Sequence, residues 1–165
     1  MTNFDPGSLE IRPLDSDNFE QILAIAEMVE EAPHWSRAHY KELLPAGDLF
    51  SDQTSRSRIA LVARDTRSGE VLGFVVASLV HSEAELESIA VAASARRRGI
   101  GRQLLASLVT RLRTAGAAEL HLEVRASNLA AIYFYGAENF KQTGIRPRYY
   151  ADPEEDAVLM TLRLA

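Results

Sequence analysis

The chain has 165 residues, of which 47% are hydrophobic and 25% charged, proportions of a globular protein and not of a disordered or fibrous one. Even its apolar run Val71 to Val80 contains Ser78 and gives way to His81, far short of the roughly 20 residues of a membrane helix. Cysteine is absent and the net charge is −5; the first excludes disulfides, thiolate metal sites and a thiol nucleophile, and the second argues against nucleic-acid binding by the molecule as a whole.

Met1 to Glu10 holds two acids and no basic residue, unlike the positive head of a secretory signal, so a cytoplasmic protein is expected. Leu9 and Ile11 alternate with Glu10 and Arg12, a short strand ended by Pro13. A helix should follow, with Asp17 as N-cap, Glu20 completing a capping box, and Phe19, Ile22, Leu23, Ala26 and Val29 at helical spacing. Ser36 caps a second short helix with Tyr40, Leu43 and Leu44 on its apolar face, stopped by Pro45. Ala46 to Arg58 is polar and turns into a surface loop.

Three strands come next, Ile59 to Ala63, Val71 to Leu79 and Glu85 to Val91, joined by connections short enough for antiparallel neighbours. The period then changes to 3.6, and Leu104, Leu105, Leu108, Val109 and Leu112 form the stripe of a strong helix with Gly116 at its C-terminal end. Leu120, Leu122 and Val124 alternate with Glu119, His121, Glu123 and Arg125, a strand whose polar residues share one face. Ser127 or Asn128 caps an Ala-rich helix running to Tyr135, and a last strand carries Val158, Met160, Leu162 and Leu164 on one face. The expected architecture is a single α+β domain over residues 1–165, built on a mixed, mostly antiparallel sheet.

Charge is segregated along the chain. Arg96, Arg97, Arg98 and Arg102 surround Gly99, Ile100 and Gly101 between a strand and the strong helix. A glycine-rich loop at a helix N-terminus offers unpaired backbone N–H groups and the positive end of the helix dipole to an anion. The residues after Gly101 are Arg102 and Gln103, which excludes a P-loop, and Leu104 stands where a dinucleotide fingerprint needs glycine. Taken alone, Arg96 to Gly101 is equally a capped helix with a solvated arginine run. The four histidines have no close metal-type spacing, so no bound metal is expected.

Arg96 to Gly101 resembles the coenzyme-A pyrophosphate loop of the GNAT N-acetyltransferase superfamily. Leu122 to Asn128, with Ala131, Ile132 and Tyr135, is similar to the corresponding segment of the ribosomal-protein-alanine N-acetyltransferases. Ile145-Arg146, Tyr149-Tyr150 and Glu155-Asp156-Ala157 resemble that family's C-terminal signature, and Trp35-Ser36 its N-terminal one. The likeness is dense from about Leu86 onward. Asn139 replaces a glycine, Pro147 and Arg148 replace an Arg-Asn pair, and the loop Ala46 to Arg58 is longer than the family needs.

The resemblance implies a three-layer α/β/α fold and an acetyl-CoA-dependent enzyme acting on a protein N-terminus, plausible for the alanine of a small-subunit ribosomal protein. It implies Glu123 as general base and Tyr135 as general acid. Backbone groups of Ile89, Ala90 and Val91 would hold the thioester and pantetheine arm, Arg96, Arg97, Arg98, Gly99, Ile100, Gly101 and Arg102 the phosphates, and Asn128 a further part of the coenzyme. Trp35, Tyr149 and Tyr150 would line the acceptor groove. The partners are thus coenzyme A and a peptide N-terminus, with no nucleic acid, membrane or metal. An α-amine is roughly 10% neutral at pH 7 against about 0.04% for lysine, which favours an N-terminal acceptor. Three alternatives stay open: a GNAT enzyme for a small amine, a coenzyme-binding regulator without catalysis, and a nucleic-acid binder using the arginine patch.

Overall fold

In the computed structural model, residues 6–30, 33–44 and 56–165 are described. The elements are β1 (Leu9–Pro13), α1 (Phe19–Met28), α2 (Arg37–Lys41), β2 (Arg56–Asp65), β3 (Val71–Val80), β4 (Glu83–Val91), α3 (Ile100–Thr114), β5 (Glu119–Arg125), α4 (Leu129–Ala137), β6 (Lys141–Ala151) and β7 (Glu154–Arg163). They form one seven-stranded sheet in the order β1-β2-β3-β4-β5-β7-β6. Every neighbouring pair is antiparallel except β4 with β5. The expected mixed, mostly antiparallel sheet is the one observed.

Apolar residues on both faces of the central strands create the three layers. In β2, Leu61 and Ala63 pack on the side of α3 while Val62 packs on the side of α1; β3 is buried at every position but its last. Leu104, Leu105, Leu108 and Leu112 of α3 join Leu120 and Leu122 of β5 in one core. Ile22, Ile25 and Ala26 of α1 join Tyr40, Phe74 and Val76 in the other. Gly73 of β3 is required there, because a Cβ would lie 2.7 Å from the carbonyl oxygen of Ala90 on β4.

Four details differ from the sequence expectations. The N-cap of α1 is Asn18, not Asp17. The Asp15 carboxylate accepts the N–H groups of both Asp17 and Asn18, which starts the helix one residue later. Glu20 forms no capping box; it pairs with Arg37 of α2 and ties the two helices together. Arg56, not Ile59, begins β2, and an unexpected strand, β6, precedes β7. Ser36 does cap α2, accepting from the His39 N–H at 3.2 Å. Pro45 and most of the loop Ala46 to Arg58 lie outside the described residues.

The single parallel junction makes the site. β4 pairs with β5 only from Glu83 to Glu85 against Glu119 to His121. Beyond that point the strands diverge, and β4 carries a bulge where its register against β3 shifts between Val76 and Ala77. The backbone groups of β4 that face the gap have no ladder partner from β5, so they are open to whatever enters it.

Candidate active site

The gap between β4 and β5 continues into a cavity of about 660 Å³ lined by Ile89 to Val91, Arg96, Arg97, Gly99 to Arg102, Phe134 and Glu138. Its wall is the start of α3. Gly99 is the N-cap, with φ 77 and no side-chain cap, and Arg97 also has a left-handed φ of 64. Two left-handed residues so close together curl the backbone, and the first N–H groups of α3 are left without intrahelical acceptors. A Cβ on Gly101 would meet Phe134 and Val91 only at ordinary distances of 3.7 and 3.8 Å; packing does not demand this glycine, and its missing side chain leaves the N–H groups open to a ligand. Arg102 is anchored by Glu138 at 3.1 Å, and Arg96 Nε lies 3.4 Å from the Val91 carbonyl oxygen. Arg98 does not line this cavity.

Deeper in the gap, a cavity of about 300 Å³ brings together Ser88, Ile89, Glu123, Asn128, Tyr135 and Tyr150. Alternation along β5 turns Leu122 and Val124 into the α3 core and leaves Glu123 partly exposed at 23%. Tyr135, unlike its exposed neighbour Tyr133, is only 8% exposed. It packs between Phe134 and Phe140 at ring distances of 5.3 and 5.4 Å. Burial raises its pKa above the ordinary tyrosine value, and the phenol, like any tyrosine, is protonated at neutral pH. Asn128 Oδ1 caps α4 by accepting from the Ala131 N–H at 3.1 Å, which leaves its amide N–H groups available to a coenzyme.

Two further cavities open on the polar sheet face. One, about 490 Å³, is lined by Trp35, His39, Arg58, Glu87, Glu123, Tyr149 and Tyr150 among others. Trp35 is held in its wall by Tyr40, 5.2 Å away. The other, about 510 Å³, holds Glu83, Glu85, His121, Glu123 and Arg146. Arg58 bridges β2 to the bulged Glu87 at 3.2 Å and reaches Glu42 at 3.7 Å. The imidazole of His121 sits 3.2 Å from Glu83 and 3.5 Å from Glu119, and its other nitrogen is 2.9 Å from the Thr161 hydroxyl. This is the one group among the described residues with three donor atoms close enough for a cation; with Glu83 open to solvent, a surface ion cluster accounts for it.

The fold therefore gathers Glu123, Tyr135, Asn128 and Tyr150 at one junction, with the glycine loop at one end and Trp35 and Tyr149 at the other. Sequence reasoning missed the role of Arg146, 2.8 Å from Glu123, and of the Arg58–Glu87 pair. Arg146 was visible as part of a C-terminal signature, but nothing in its neighbours announced the strand that carries it.

The acetyltransferase (GNAT) family model matches residues 17–140. The [ribosomal protein bS18]-alanine N-acetyltransferase of Salmonella typhimurium is 42% identical over 119 residues, 71% of this chain and 78% of that protein. Its counterpart in Haemophilus influenzae is 30% identical over 157 residues, 93% of this chain and 98% of that protein. The crystal structure of the ribosomal-protein-S18-alanine N-acetyltransferase from Escherichia coli superposes with a TM-score of 0.76 at 32% identity, covering 95% of this chain and 94% of that one.

Proposed function

This chain belongs to the GNAT acetyltransferase family and is an N-acetyltransferase, and we propose that its acceptor is the N-terminal α-amine of a protein, the alanine of ribosomal protein bS18 being the first candidate. The observation that carries this reading is the position of Glu123, which borders the deep cavity in the strand gap and both open cavities on the polar face. An extended peptide lying along that face would bring its terminal amine to this carboxylate, next to the gap.

The family's donor is acetyl-CoA. Gly99 to Arg102 would hold its phosphates on the N-terminal N–H groups of α3, with Arg96, Arg97 and Arg98 adding positive charge. The open backbone edge of Ile89 to Val91 would take the pantetheine arm and hold the thioester carbonyl. Glu123 would accept the proton of the incoming ammonium, directly or through one water, so that the amine nitrogen can attack the carbonyl carbon. Negative charge developing on the carbonyl oxygen would be stabilised by β4 N–H groups. As the C–S bond breaks, Tyr135 would supply a proton to the departing sulfur, its phenol being protonated at neutral pH. Trp35, Tyr149 and Tyr150 would flank the peptide. Such a substrate belongs to the cytoplasm, and among the described residues no helix is long and apolar enough to cross a membrane.

The test is acetylation of synthetic peptides beginning with Ala, Ser or Met, set against polyamines. Transfer to an N-terminal amine supports the proposal, and transfer to polyamines alone refutes it.

A further inference from the structure

Glu123 is held from β6. Its Oε1 lies 2.8 Å from the Arg146 guanidinium, and it accepts a hydrogen bond from the Tyr149 hydroxyl, whose pKa is raised by that contact. Arg146 also lies over the Tyr149 ring, 4.9 Å from its centroid. Tyr149 packs edge-on against Tyr150 at 5.1 Å, Tyr150 lies under Arg125 at 4.2 Å, and Arg125 pairs with Glu155 at 3.2 Å.

Residues three apart on a regular strand point to opposite faces. Arg146 and Tyr149 nevertheless converge on one carboxylate, because the register of β6 against β7 breaks between Arg146 and Tyr150. Arg148 within this bulge has a φ of 49, and its N–H is fixed by Asp156 Oδ1 at 2.9 Å. The bulge thus aims two donors at the residue that borders three of the four cavities described above. Stability does not explain the arrangement: the Arg146 side chain is 53% exposed, and half-exposed ion pairs contribute little.

We propose that Arg146 and Tyr149 are positioning residues for acetyl transfer, fixing the Glu123 carboxylate in the rotamer that meets the acceptor amine. This rests on the reading of Glu123 as the base. A glutamate carboxylate sits on three side-chain torsions and samples several rotamers without such donors, and a displacement of about 1 Å at a reacting group costs on the order of 100-fold in rate.

The experiment compares wild type, R146M, R146K, Y149F and E123Q in acetylation of the Ala-, Ser- and Met-initiated peptides, with coenzyme A titration and thermal unfolding alongside. R146M should lower kcat by about 10- to 100-fold, with coenzyme A affinity within about twofold and Tm within about 2 °C of wild type. R146K should recover most of the rate, because the contact is a single N–O pair that an ammonium can make, and Y149F should show a smaller loss of the same kind. Full kcat in R146M beside an inactive E123Q overturns this inference and leaves the base intact. Equal loss in R146K and R146M overturns it too, since stacking on Tyr149 would then be the property that matters. Full rate in E123Q, or no peptide acetylated by wild type, removes the reading beneath it. Should R146M fail to fold, R146K and Y149F carry the same comparison.

Discussion

Gly101→Ala separates the fold from the coenzyme loop because the two respond in opposite directions. Gly101 is the second residue of α3 and has helical backbone angles, and an added Cβ would find Phe134 at 3.7 Å and Val91 at 3.8 Å, ordinary contacts that displace nothing. Replacing a helical glycine by alanine at a compatible site stabilises a protein by about 0.4–1 kcal/mol. For a domain of this size, that raises Tm by about 1–4 °C. The new methyl, however, projects from the lining of the 660 Å³ cavity, beside the N-terminal N–H groups of α3 that would hold a phosphate. Loss of one hydrogen bond to a charged group costs about 1.5–3 kcal/mol, roughly 10- to 150-fold in affinity. Thermal unfolding and calorimetric titration with coenzyme A read the two effects on the same sample. A Tm at or above wild type with affinity down at least about tenfold is the expected pair. Unchanged affinity would refute the assignment of this loop to the phosphates, and a Tm lowered by several degrees would refute the packing account of Gly101.

Gly73→Ala should do the reverse, placing a methyl 2.7 Å from the Ala90 carbonyl oxygen and 3.3 Å from Leu104. With backbone on one side and core on the other, a loss of about 1–3 kcal/mol is expected in chemical denaturation, and a wild-type midpoint would contradict it. Tyr135→Phe should lower kcat while leaving KM for acetyl-CoA near its original value, since only the hydroxyl is lost; unchanged kcat in steady-state assays would remove its role as acid. Glu155 accepts from the Ser127 hydroxyl and N–H and pairs with Arg125, which lowers its pKa below the usual glutamate value. Its folded pKa lies below the unfolded one, so its stabilisation is complete above the unfolded value of about 4.3 and is lost as pH falls through the folded value. Thermal melts from pH 7 downward should therefore show less acid sensitivity in Glu155→Gln than in wild type, and identical slopes would count against the linkage.

Much of the architecture was legible because burial imposes periodicity. The 3.6-residue stripe from Leu104 to Leu112 is the buried face of α3, and the alternation from Glu119 to Arg125 is preserved in β5. Asn139 takes the left-handed conformation that a glycine would take, with φ 71. β6 was illegible for the converse reason: nearly all of it is exposed, it lies at the sheet edge, and Pro147 sits in its bulge, so no apolar alternation marks it. The cap of α1 was misassigned because Asp15, two residues before Asp17, takes the backbone N–H groups. Within the site, Glu123 and Tyr135 stood out only through family likeness. Arg146 and Tyr149 become informative when the bulge turns both toward one carboxylate, a consequence of register that no local pattern encodes.

The central claim is that acetyl is delivered to an N-terminal amine under the control of Glu123. Mass-spectrometric mapping of the acetylated position on a peptide that begins with alanine and also contains lysine, using wild type and Glu123→Gln, tests it most directly. The account predicts acetyl on the α-amine alone with wild type, and a rate at least about 100-fold lower for the variant. Acetyl on the lysine side chain, or equal rates for the two enzymes, would contradict it.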